Sequence, residues 1–213
     1  QADGTNLPDN PKQSFHGVEA NDLNKIITRT IKVTTPDGKV TTVKQEAKLA
    51  RTATVDEVTG DVSYGDWSTG QWDAYNVPEV PGFTPSQKVV TEETVGSNTT
   101  DVTIDITYTG NTQKALVNYV DKDKNNELIK DSGDLTGLSK DLIDYSTEDT
   151  IKKLEAAGYV FVSSNYPTDA AYDTDDSTNQ VYTVVFKHGH KPVDRDQNVK
   201  RTVVYKVPAG FDT

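Results

Sequence analysis

Cysteine is absent from all 213 residues, which removes disulfides, thiol nucleophiles and thiolate metal ligands at once. Extracellular proteins can also dispense with cysteine, so the compartment stays open. No apolar run approaches the ~18 residues of a membrane span and no secretory leader is recognisable, so membrane insertion is not expected. The missing initiator methionine suggests a piece excised from a longer chain. Positive charge is scarce, with 22 Lys and Arg against 33 Asp and Glu for a net charge of −11. Nucleic acid and anionic membranes are bound through clustered cations, so neither is an expected partner. Apolar residues are few as well. Counted with glycine and without tyrosine they make up about 35% of the chain, against a typical ~45–50%. Two domains of roughly 85 residues would each bury only about 60–65% of their unfolded surface. Slim units in an elongated monomer are therefore expected rather than one globule.

One run recurs. "NVKRTVVYKV" (Asn198 to Val207) repeats the texture of "NKIITRTIKV" (Asn24 to Val33), with Arg201-Thr202 standing 172 residues after Arg29-Thr30. A His-Gly pair precedes each run at the same offset, His16 and His188. Internal similarity at a long period reads as one repeat followed by the first strand of the next.

The polar stretch 1–23, with Pro8 and Pro11, reads as a linker or the end of a preceding module, without a core. From Ile26 the chain alternates β-branched and polar residues, turns at "TPDGK" and again at "DEVTGD", and continues to Trp67. Lys44 to Leu49 could pass for helix, but its Thr-rich flanks favour strand. "NVPEVPGFTPSQ" forbids regular helix or a central strand and reads as an extended loop or edge. Val102, Ile104, Ile106 and Tyr108 alternate with polar residues, as a half-buried strand does. These elements make a first domain over 24–110. A second, over 111–190, is predicted as β-hairpin, helix, β-hairpin. Its helix follows Ser146 or Thr147, carries Glu148 and Asp149 at the positive end of its dipole, presents Ile151, Leu154 and Ala157 on one face, and stops at Gly158. One helix laid across four strands is a β-grasp arrangement. Residues 191–213 are left as linker and next strand.

"ALVNYVDKDKNNELI", "TIKKLEAAGYVFV" and "YTVVFKHG" resemble the mucin-binding protein (MucBP) module. The stretch from "ITRTIKV" to "GDWSTGQW" and on through "VPEVPGFTPSQ" resembles the domain that precedes it in the long Mub repeats of mucus adhesins from Gram-positive gut commensals. The resemblance covers about residues 24–190. It implies an α+β, β-dominated fold of two β-grasp-like (ubiquitin-like) domains in tandem, within a secreted, cell-wall-anchored rod of many copies. It implies mucin glycoproteins and their oligosaccharides as partners. The sequence holds no wall-sorting motif, so anchoring is inferred for the parent protein only. No fixed binding motif carries over, so site residues must come from chemistry.

Tyr64, Trp67, Trp72 and Tyr75 form the densest aromatic group, interleaved with Asp66 and Gln71. Aromatic faces with amides and carboxylates beside them are what sugars need, and the four are candidate glycan-binding residues. A core short of apolar volume would recruit the same rings. "DKDKNNE" (Asp121 to Glu127) starts like a calcium loop but lacks its glycine and distal glutamate, and a hairpin turn explains it better. Asp169, Asp173, Asp175 and Asp176 read as a solvated charge run. Structural calcium is conceivable there but not predicted, and no other cofactor is expected. His188 and His190 lack the third ligand a closed zinc site requires. No nucleophile elbow, phosphate loop or zinc helix occurs, so the chain is expected to bind rather than catalyse. Immunoglobulin capture at a sheet edge and a spacer role are the alternatives.

Overall fold

A computed structural model describes residues 4–7, 10–193 and 199–204. The chain begins with a short pair, β1 (Asn6–Leu7) and β2 (Asn10–Ser14), and one turn of helix, α1 (Ala20–Leu23). The expectation that 1–23 carries no core is corrected. Leu7 and Phe15 are buried, sharing a small cavity with Val18, Leu23, Ala53 and Val55. Two apolar side chains are enough to seat a hairpin on a neighbouring strand pair, even in a polar, Pro-rich stretch.

The first domain is organised by β3 (Asn24–Thr34) and β4 (Val40–Ala50), antiparallel over eleven residue pairs. Asp37 and Gly38 turn between them, with Gly38 at φ +82, a left-handed conformation that costs glycine little. The strand reading of Lys44 to Leu49 holds. Two small pairings follow. β5 (Ala53–Val55) meets β6 (Val62–Tyr64), and β7 (Gly70–Trp72) meets β11 (Glu93–Val95). Nested inside the second, β8 (Tyr75–Asn76) pairs with β10 (Val89–Val90). β9 (Phe83–Pro85) lies in the Pro-rich loop, as an edge. β12 (Val102–Ile106) then returns to run parallel to β3, giving the order β12-β3-β4. First and last strands side by side and parallel is the β-grasp pairing. Here short strand pairs occupy the connection that a helix fills in the second domain. Thr107 breaks the alternating run, and β13 (Tyr108–Gly110) turns aside to pair with β9.

Alternation along β3 points Ile27, Arg29, Ile31 and Val33 inward. Ile27 joins Ala47, Leu49, Trp72 and Val95 in one cluster, while Ile31 and Val33 join Val77, Val90 and Ile106 in another. Between them lies Arg29, 2% exposed. Its Nε donates to Gln45 Oε1 (2.8 Å), Nη1 to the Thr91 carbonyl (2.9 Å) and Nη2 to the Asp73 carbonyl (2.8 Å), and its guanidinium sits 5.3 Å from the Trp72 ring centroid. A buried charge is tolerable only when its donors are satisfied, and all three arms of this fork find an acceptor; Gln45 Nε2 donates to the same Asp73 carbonyl at 2.8 Å.

The second domain follows after a single residue, Asn111. Its sheet has β14 (Thr112–Asp121) beside β18 (Gln180–His188), parallel over seven residue pairs. β17 (Tyr159–Ser164) flanks β18, and β15 (Glu127–Asp131) flanks the far half of β14. A strand not foreseen from sequence, β16 (Leu135–Leu138), covers the near half. Gly137 in β16 lies directly under Tyr172, whose ring would stand 2.2 Å from an added Cβ. Gly137→Ala is therefore expected to overpack the core and cost about 1–3 kcal/mol, read as a lower urea midpoint.

The helix α2 (Glu148–Ala156) crosses the sheet with Leu154 buried and Ile151 half-buried. Ser146 Oγ accepts from the Glu148 amide at 3.3 Å, and Gly158 ends the helix at φ +101. Ala157, expected on the buried face, is exposed because the helix stops one residue before it. Val117, Tyr119, Leu154, Val184 and Phe186 form the main cluster, with Ala115, Ile143, Ala170 and Tyr172 beside it. Tyrosine supplies the volume that aliphatics do not. Tyr119 and Tyr145 hydroxyls lie 2.8 Å apart and Tyr166 donates to the Tyr145 carbonyl at 2.9 Å. Burial raises the Tyr119, Tyr166, Tyr172 and Tyr182 hydroxyls above their ordinary pKa.

Of the recurring run 198–207, residues 199–204 are described. They form no strand and Val199 and Val204 are exposed, since no described strand pairs with them. The rest of that run lies outside the described residues.

Candidate functional site

The four aromatic residues singled out from sequence separate by burial. Trp72 is 1% exposed and its indole Nε1 donates to the Ile27 carbonyl at 3.1 Å. It is a core residue and offers no face to a ligand, which corrects its place among the candidates. Tyr75 is half-buried against the cluster around Ile31 and Val33. Tyr64, 42% exposed, and half-buried Trp67 reach the surface together, brought there by Arg51. That guanidinium lies 3.6 Å from the Tyr64 ring centroid and 4.7 Å from that of Trp67, with the Lys25 ammonium 4.8 Å from Trp67. Tyr64 is pinned by donating to the Gly17 carbonyl at 2.8 Å, and Arg51 Nε donates to the Asp22 carbonyl at 2.8 Å. The result is an aromatic patch carrying two cations in an otherwise acidic chain. Neither cation was foreseen, although Arg51 directly follows an alternating strand.

A second feature lies at the domain junction. Asn111 is held on both sides: its amide N–H donates to the Gly82 carbonyl (2.8 Å) and its carbonyl accepts from the Ser139 amide (2.9 Å). Its side chain accepts from Thr84 Oγ1 and donates to Asp176 Oδ2, both at 2.7 Å. The other Asp176 oxygen accepts from Gln113 Nε2 at 2.6 Å. Gly82, at φ +77, lets the second domain approach closely; a Cβ there would stand 2.7 Å from the Thr174 backbone. Beside this junction opens a cleft of about 910 Å³, lined from the 76–89 segment, Asn111 and Asp176. Asp176 had been read as part of a solvated run, yet it holds the side chain of the residue that links the two domains.

Asp175 accepts from the Ser177 hydroxyl, the Ser177 amide (2.9 Å) and the Thr178 hydroxyl (2.8 Å), which lowers its pKa to about 2. Asp121 is buried and lies 2.7 Å from His188 Nε2, while Asp123 accepts from the His188 amide. These contacts tie the β14–β15 turn to the end of β18. Among the described residues no group of three or more His, Asp or Glu is arranged as metal ligands.

Comparison with known proteins finds two family matches. Residues 113–188 match a mucin binding domain, and residues 18–112 match a Muc B2-like domain. Among solved structures the chain is similar to the mucin-binding domain of a Streptococcus pneumoniae protein, at 32% identity over 40% of this chain and 89% of that one (TM-score 0.37). It is also similar to the type 2 repeat of the mucus binding protein MUB from Lactobacillus reuteri, at 39% identity over 36% and 41% (TM-score 0.34). A MucBP domain of an adhesion protein from Pediococcus pentosaceus matches at 32% identity over 41% and 99% (TM-score 0.32). The chain thus spans less than two thirds of the MUB repeat. No curated protein matches it.

Proposed function

Because the chain belongs to the mucin-binding domain family over residues 113–188 and to the Muc B2-like family over residues 18–112, we propose that it is a non-catalytic repeat of a bacterial cell-surface adhesin that holds mucin glycoproteins through their glycans. The observation that carries this reading is the presence of both family domains on one chain. Each copy binds weakly, and repetition supplies strength: linked sites raise avidity by ~10²–10⁴ without any new contact, provided several can engage together. The parent protein is extracellular and anchored to the cell wall. Tyr64 and Trp67, with Arg51 and Lys25, are the surface group suited to stack on a sugar and meet an acidic substituent.

A second reading rests on the edge strand β17, whose Val160, Phe161 and Val162 are 41%, 39% and 39% exposed. An open edge with apolar side chains suits a host protein such as immunoglobulin, bound by strand addition.

Immobilised mucin separates the two. Enzymatic removal of glycans is expected to lower binding of the chain at least tenfold, with EDTA making no difference. Undiminished binding to stripped mucin would exclude the glycan reading, and capture of an unglycosylated immunoglobulin fragment would favour the edge.

A further inference from the structure

We propose that the cleft at the domain junction is a subsite for neutral, hydroxyl-rich oligosaccharide, completed only when both domains are joined. This assignment rests on the glycan reading above and adds a site distinct from the Tyr64–Trp67 patch. At about 910 Å³ the cleft falls within the roughly 300–1,000 Å³ typical of small-ligand pockets, which favour domain interfaces. Its lining combines two surfaces that a pyranose needs. Val80, Phe83 and Pro85 give an apolar surface for sugar C–H groups, with Phe83 and Pro85 half-buried and so fixed in place. Asp176 gives a carboxylate oriented beforehand by Gln113 and Asn111, one donor on each oxygen. An ionised carboxylate has about four acceptor sites, so further ones stay open to hydroxyl donors. Because the carboxylate is already held, a ligand loses little by ordering it. Asn76, exposed at the rim, adds an amide that both donates and accepts.

Charge selects the class. Asp176 and Glu79 face the cleft against Lys88 alone, in a chain of net −11, so an acidic sugar or a sulfate meets net repulsion while a neutral one does not. The amide and carboxylate rim likewise leaves a purely apolar ligand with polar groups to desolvate.

The test uses the whole chain, isotopically labelled for amide NMR and titrated with neutral O-glycans released from gastric mucin. The sialylated fraction of the same release is titrated separately. The neutral pool is expected to shift amides within 76–89 and at Asn111 and Asp176. Asp176→Ala is expected to weaken binding at least tenfold and Asn76→Ala at least threefold. Asp176→Ala also removes junction contacts, so Asn76→Ala, at an exposed rim position, carries the decision. Neutral glycans shifting other residues, Asn76→Ala binding within twofold of the parent, or binding by the sialylated fraction alone would overturn the cleft and leave the glycan reading standing. Binding of stripped mucin polypeptide with neither glycan pool would overturn both.

Discussion

Arg29→Ala is expected to destabilise the first domain severely while the second keeps its stability. The substitution leaves the Thr91 carbonyl and Gln45 Oε1 without the donors that Arg29 supplies, while the Asp73 carbonyl keeps Gln45 Nε2, and it opens a cavity against Trp72. Each buried unsatisfied group costs about 1–3 kcal/mol, and the sum of roughly 3–5 kcal/mol is a large part of a stability of about 5–15 kcal/mol. Both tryptophans, Trp67 and Trp72, lie in the first domain. Tryptophan fluorescence therefore follows that domain alone during urea titration, and the tyrosine-rich second domain can be followed by circular dichroism. The expected result is a fluorescence midpoint moved to much lower urea with a second transition unchanged. An unshifted fluorescence midpoint would refute the clamp. Arg29→Lys keeps the charge but not the planar fork, and is expected to recover only part of the loss.

Trp72→Ala is the second large effect, about 3–5 kcal/mol for deleting a buried indole. It also strips the Ile27 carbonyl of its partner. Thermal unfolding followed by circular dichroism is expected to show the first domain melting far earlier, with Trp72→Phe intermediate. Loss of mucin binding in Trp72→Ala would then report unfolding rather than a lost contact. Trp72 and Arg29 share a stack, so their double variant should cost less than the two single costs added.

What the sequence revealed and what it hid divide by distance along the chain. The Asp37-Gly38 turn, the α2 helix and the β14–β15 hairpin were legible because each is written within a dozen residues as turn chemistry, capping or period. The parallel pairing of β3 with β12 joins residues more than seventy apart and leaves no local mark. The burial of Trp72 was hidden for the same reason, since it depends on Ile27 and Val95 arriving from elsewhere. β16 was missed because Leu135–Leu138 is short and contains a glycine, whose value lies only in what packs over it. Arg29 is a different case. Its alternation with Ile27, Ile31 and Val33 already placed it on the inward face, and the charge alone argued for solvent. Asp176 looked like its acidic neighbours, and only the fold distinguishes the carboxylate that meets Asn111 from the one that caps its own turn.

In each domain the opening long strand lies beside a later one that runs the same way, β3 with β12 and β14 with β18. When such a chain is tethered at one end and dragged at the other, traction slides these strands along each other instead of peeling them apart. All the ladder's bonds then bear load together, so rupture demands a far greater force than unzipping one bond at a time. The longer β14–β18 ladder should outlast β3–β12, making the first domain the one that yields in flow.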